Sequence, residues 1–250
     1  MVYSPLYLCF FLQDALLTIP RIDFICAVFS NTMPLFSDDA HPGPFVSVET
    51  ESISTSSFDS LVRTYKLSST MVDMIGEAIS LTREVLRLRR IQPTWDEIES
   101  TTDRRARIEH RLYTSQYGTC ARGEGFQHCI RLAVLIYVYI VFRQTPKGSA
   151  PLSIFTSRLQ LELENTIRLS LWDQHLETLL WVLFMGGVVA PDSDGSSTKA
   201  WYTSWLISVC SQLDMRTWDE VSDLLRRYLW SEEDLEKICK SLWTEIVFDL

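Results

Sequence analysis

Few side chains in this sequence have the type and spacing that chemistry requires. Four histidines, His41, His110, His128 and His175, and six cysteines, Cys9, Cys26, Cys120, Cys129, Cys210 and Cys239, are the candidates for metal ligation or nucleophilic attack. The cysteines are scattered, without the short paired spacings of a zinc module or a small disulfide scaffold, and read as reduced thiols. His128 and Cys129 are neighbours, but adjacent side chains on a helix point about 100° apart and do not share one ion. Each histidine is therefore expected to be a core or surface residue of a helix. Asp38-Asp39 is an acidic pair of the kind that holds magnesium, yet it stands in a Pro/Gly-rich stretch with no third spaced aspartate and no second motif downstream. No G-x-S-x-G nucleophile elbow is present.

Two glycine pairs invite a phosphate-binding reading. Gly123-Glu124-Gly125 is a lone G-x-G with an acid inside it, and Gly186-Gly187 lies in the apolar run LETLLWVLFMGGVVA at 176–190. A phosphate cradle needs a strand before the glycines and free amides at a helix start, which neither pair has. Each glycine costs a helix interior about 1 kcal/mol relative to alanine, so a pair kept in a helical run marks close approach of a neighbour. Gly186 and Gly187 are expected near the end of a buried helix, with another helix or an aromatic ring against their backbone. Two basic clusters, Arg83 to Arg90 and DRRARIEHR at 103–111, are interleaved with Glu84, Asp96, Glu97, Glu99, Asp103 and Glu109. That pattern suits ion pairs on solvated helix surfaces better than a nucleic-acid face. No catalytic, cofactor-binding or metal-binding residue is assigned, and no cofactor or enzymatic role is expected.

The elements around these residues are helical. Residues 1–36 read as an apolar N-terminal helical segment, truncated at its start, with one helix around Ile22 to Phe36; residues 37–70 are a Ser/Thr/Pro-rich linker; residues 71–250 form the main helical domain. Met71, Met74, Ile75, Ala78, Thr82 and Val85 recur at helical spacing up to Arg87–Arg90. Pro93 forces a new start, and Thr94 with Glu97 makes a capping pattern for a helix over about 95–113, ended by the glycines at 118, 123 and 125. Phe126 to Phe142 is apolar on nearly every face and should be the central element. TPKGSAP at 145–151 is a turn, followed by the stripe Phe155, Leu159, Leu163, Ile167. Thr217 and Glu220 cap a helix bearing Trp218, Val221, Leu224, Leu225, Tyr228 and Leu229. Ser231 opens a last one carrying Leu235, Ile238, Cys239, Leu242, Trp243, Ile246 and Val247. Seven of the eight tryptophans fall between Trp172 and Trp243, which places the best-packed core there. The spacing predicts an all-α, irregular multi-helix domain of about eight to ten helices with short loops.

Composition narrows the function class. With 46% hydrophobic and 22% charged residues, 250 residues bury a sizeable core. A net charge of -9 repels a polyanion. The opening MVYSPLYLCFFLQDALLTIP lacks a basic n-region and is interrupted by Gln13 and Asp14, and LAVLIYVYIVF at 132–142 falls short of the roughly 20 apolar residues of a membrane span.

The stretch HLETLLWVLFMGGVVAPDSDGSSTKAWYTSWLISVCSQLDMRTWDEVSDLLRRYLW resembles the regulatory region of fungal-specific transcription factors of the zinc-cluster type. In that family an apolar helix of the form LLWxLFxGGxxA is followed by a variable loop and an aromatic pair comparable to Trp201-Tyr202. A helix with a start like Trp218-Asp219-Glu220-Val221 and an end like Leu229-Trp230 comes next. IRLAVLIYVYIVFRQTP resembles the family's central helix, and IDFICAVFSNTMPLFSDDAHPGPF more weakly an early helix-plus-loop block. The likeness is strongest over about 126–248, looser over 71–125 and faint before that. It implies a nuclear regulatory and interaction domain acting through other transcription-factor or coregulator proteins, a second copy, or a small-molecule effector. Family members usually carry an N-terminal six-cysteine zinc cluster that reads DNA. No C-x-x-C pair occurs here, so this chain alone is not expected to bind a DNA site, and an upstream frame is expected to encode the cluster if the chain is incomplete. The helical blocks that in the family separate the early segment from the rest are missing in this reading, so that 37–70 marks a deletion, a gene-model error or real divergence. The alternative is a helical scaffold or adaptor with no transcriptional role.

Overall fold

The computed structural model describes residues 19–30, 32–34, 67–115, 124–191 and 197–247. Among these the regular structure is entirely helical: α1 (Ile19–Ser30), α2 (Ser69–Arg89), α3 (Trp95–Thr114), α4 (Glu124–Val141), α5 (Ala150–Arg168), α6 (Leu176–Val189), α7 (Ser197–Gln212), α8 (Trp218–Leu225) and α9 (Glu232–Ile246).

Local chemistry sets most of the boundaries. The Met71 backbone N–H donates to Ser68 Oγ, so α2 begins at Ser69, two residues ahead of the expected start. Thr94 and Glu97 form a complete capping box at the head of α3, as do Thr217 and Glu220 at the head of α8. Pro151 occupies the first turn of α5, where its missing N–H costs nothing. Ser231 precedes α9, but its hydroxyl donates to the Asp234 carboxylate at 2.6 Å instead of capping the backbone.

Three expectations need correction. The helix expected around Ile22 to Phe36 runs from Ile19 and stops at Ser30, ahead of Pro34, which disfavours helical geometry in the residue before it. Gly125 does not end a helix; it lies in the first turn of α4, where a Cβ would meet Thr166 Cγ2 at 2.8 Å. Its missing side chain lets α5 close on α4. Tyr228 and Leu229 lie past the end of α8, yet the turn after it keeps both buried. Gly118, Gly123 and most of 37–70 lie outside the described residues.

Two helices form the centre. α4 is packed by α2, α3, α5, α6 and α9, and α6 by α4, α5, α7, α8 and α9. Both are buried on almost every face, which explains their continuous apolar sequence. The outer helices bury a single stripe each: Phe155, Leu159 and Leu163 on α5, and Leu235, Cys239, Leu242, Trp243 and Ile246 on α9. Four of the seven later tryptophans, Trp172, Trp181, Trp218 and Trp243, are buried, while Trp201, Trp205 and Trp230 are partly buried against the same core. Trp181 stacks on Tyr228 at 5.6 Å and donates to Leu229 O, fixing the α8 turn to α6.

Candidate functional site

The glycine pair is a packing device. Gly186 and Gly187 are buried near the end of α6, and a Cβ on Gly186 would fall into the Tyr202 ring of α7. A Cβ on Gly187 would meet Leu242 Cδ2 of α9 at 2.9 Å. Tyr202 is held there by its hydroxyl, which donates to Thr156 O of α5 at 3.0 Å. The bond gives the buried phenol a partner and burial keeps it protonated, its pKa raised well above the usual tyrosine value. Three helices thus converge where two side chains are missing.

Three of the four described thiols are buried. Cys129 and Cys210 are buried and their pKa values pushed up to about 12 by desolvation, and Cys239 is raised by the same cause. Cys26 is exposed on α1. His110 and His175 lie beside Phe24 and Phe126, at 5.8 and 5.9 Å between ring centroids. Burial lowers the His175 pKa. His128 stands on α4, one position from Cys129. Among the described residues no group of three or more His, Cys, Asp or Glu is arranged to hold a metal ion. Asp38, Asp39, His41, Cys9, Cys120 and Gly123 lie outside the described residues.

The basic clusters divide into two kinds. Arg87 pairs with Glu84 at 2.7 Å and Glu97 at 2.8 Å on the surface, as interleaved charges suggest. Arg104 reaches Glu77 at 2.8 Å, joining α3 to α2. Arg89 is different: it turns inward to Asp234 of α9 at 2.8 Å and donates to Val141 O at the end of α4. Arg105 and Glu109 also depart from the surface expectation, since both are buried. Arg143 brackets Glu109 with Nε and Nη2 at 2.8 and 2.7 Å, and Arg105 lies 3.7 Å away. The reason is spacing: Ile98, Thr102, Arg105, Glu109 and Leu112 fall on one stripe of α3, and the stripe is buried whatever stands on it. A groove of about 340 Å³ on the exposed side of α3 is lined by Asp96, Glu99, Ser100, Asp103 and Arg107. With three carboxylates to one guanidinium, it is unsuited to phosphate.

Sequence reasoning passed over Arg131. It is the lone arginine or lysine in the apolar run of α4 and is 5% exposed; an isolated charge inside an otherwise apolar helix is the signal that could have found it. Among the described residues Trp95 is the most exposed large apolar side chain, at 68%, and Ile91 is half-exposed. Among the described residues no helix is long and apolar enough to cross a membrane.

The arrangement has mostly buried thiols, ion-paired arginines on its surface and a core that uses its aromatic groups for packing. A family described as Fungal specific transcription factor domain matches residues 23–250. No curated protein and no solved structure matches the chain.

Proposed function

The chain belongs to the fungal-specific transcription factor domain family, and from that membership we propose that it is a regulatory and interaction module of transcriptional control that acts without catalysis. The observation that carries this reading is the extent of the match, 23–250, which takes in every helix from α2 to α9 and most of α1. The chemistry of the molecule supports it. Three thiols held protonated by burial, cations such as Arg87 and Arg89 paired with carboxylates, and no metal-ligand group among the described residues fit an interaction role better than a reaction centre. The acidic groove on α3 and the net charge of -9 favour action through proteins over direct DNA contact. Partners are then other transcription-factor or coregulator proteins, the chain works in the nucleus, and a second copy is a compatible partner.

Tethering tests the reading. The full chain fused to a heterologous DNA-binding domain should raise or lower a reporter in a fungal host. The Gly186→Leu fusion, which cannot close α7 on α6, should lose the effect. A reporter unchanged at equal fusion expression would overturn transcriptional action, and exclusion of a fluorescent fusion from the nucleus would overturn the localisation.

A further inference from the structure

Chemistry not used by the fold gathers where α3, α4 and α5 meet beneath α1. Arg131 of α4 donates through Nη1 to Leu112 O, in the last turn of α3, at 2.9 Å. Its Nε is buried with no hydrogen-bond partner. Arg158 of α5 reaches the same end of α3 from the other side, its guanidinium carbon 5.9 Å from the centre of the Tyr113 ring. Its Nη1 is also buried without a partner. Neither donor is bonded to the Tyr113 hydroxyl, which donates to Ala27 O of α1 at 2.7 Å.

The charges here do not balance. Burial first, and Arg158 second, bring Arg131 down to about 10, so it stays protonated at neutral pH. Glu162 of α5 opposes it through space without forming an ion pair with either arginine. Two cations against one carboxylate leave the place net positive in a low-dielectric setting. Unanswered buried donors on charged groups are costly, and a guanidinium matches the planar or tetrahedral oxygens of a carboxylate or phosphate.

We propose that Arg131 and Arg158 form an oxyanion site at the α3–α4–α5 junction, taking one carboxylate group or inorganic phosphate between Arg131 Nε and Arg158 Nη1. Arg131 is the buried anchor. Arg158 is only partly buried and forms the side from which the anion arrives. The occupant is a small ligand with a single oxyanion head, because both donors are enclosed. α1 roofs the place through the Tyr113–Ala27 bond and the edge-on contact of Phe24 with Tyr113 at 5.5 Å, so an occupied site should also hold α1 down. The site does not depend on the transcriptional reading, since binding is measured on the isolated chain.

The test is a titration of the purified full chain in low-salt Tris buffer with acetate or malonate in one arm and inorganic phosphate in the other, each against sodium chloride at equal ionic strength. Calorimetry should give a single saturable site for at least one arm, and the Tm should rise by about 3 °C beyond the chloride control. The arm that responds assigns carboxylate or phosphate as the head group. Arg158→Gln, at a partly exposed position and checked for unchanged helicity, should weaken binding about tenfold or more. Glu162→Gln should tighten it, because the competing negative charge is gone, a response that a purely structural role for these arginines does not produce. No saturable binding in either arm, or equal affinity in Arg158→Gln, would overturn the proposal.

Discussion

Gly186 and Gly187 are neighbours on α6 but face different obstacles, and the same substitution should have different outcomes at the two. Alanine gains about 1 kcal/mol over glycine in a helix interior. At Gly186 the new methyl enters the Tyr202 ring, which is pinned by its bond to Thr156 O and cannot move aside. Overpacking costs about 1–3 kcal/mol, so Gly186→Ala should be net destabilising despite the propensity gain. At Gly187 the methyl meets the far end of Leu242, a flexible side chain, and Gly187→Ala should lie within about 0.5 kcal/mol of the parent. The larger Gly187→Leu should destabilise clearly. Thermal melts of the three variants check the order, and a Gly186→Ala chain that melts with the parent would remove the Tyr202 contact as the explanation. The sequence showed that something packs against this pair, since two glycines in a run of apolar helix formers have few other uses. It did not show which residue, because Tyr202 stands on a different helix, α7. Arg131 was not singled out in the sequence, and its partner Leu112 O is a backbone atom that no side-chain pattern reveals.

At the level of the helix, the capping boxes were the most legible feature because all their partners lie within one turn. Thr94→Ala and Thr217→Ala should each cost about 1 kcal/mol. The start of α4 was misplaced because a glycine tolerated for packing gives no periodic signal, and the end of α1 because apolar residues continue past Ser30 to Phe36. The first box also carries a pH response. The bond from Arg87 is the main cause, with the Thr94 backbone and hydroxyl next, of a Glu97 pKa lowered to about 2. In the unfolded chain Glu97 titrates at its ordinary value of 4.5. A depressed carboxylate gives its stabilisation fully above that value and loses it as pH falls toward about 2. Glu220, lowered by the backbone N–H groups of Arg216 and Thr217, shifts in the same sense. The melting temperature should therefore fall as pH drops from about 4.5 to 2, and Glu97→Gln should shallow that fall without changing its direction. An unchanged slope in the variant would remove Glu97 from the account. Glu97 keeps 33% of its side chain exposed, so its share of the stability should shrink as salt is added.

Across the whole molecule, the all-α class and the central place of Phe126–Phe142 followed from period and apolarity, which are local properties. What joins distant helices did not, because charges many residues apart show no spacing. Asp234 at the head of α9 is the clearest case. It receives two bonds from Arg89 Nη1 at 3.0 and 2.8 Å, one from Ser231 Oγ at 2.6 Å and a longer one from Gln144 Nε2 at 3.4 Å. Arg89 also donates to Val141 O, so one guanidinium ties the ends of α2 and α4 to the start of α9. Removing one partner of a buried ion pair costs about 3–5 kcal/mol, chiefly by stranding the other charge. Arg89 keeps 19% of its side chain exposed and can recover some hydration, so Asp234→Ala should cost about 2–3 kcal/mol. The loss should lower the Tm by about 2–4 °C per kcal/mol. Hydrogen exchange gives the sharper check, since amides at the end of α2 and the start of α9 should lose protection before those of α5 or α6. Asp234→Asn keeps the shape and some hydrogen bonds but not the charge, and should fall between the parent and the alanine variant. Equal protection along all four helices in Asp234→Ala would mean that the apolar core alone holds α9 in place, with the clamp adding nothing.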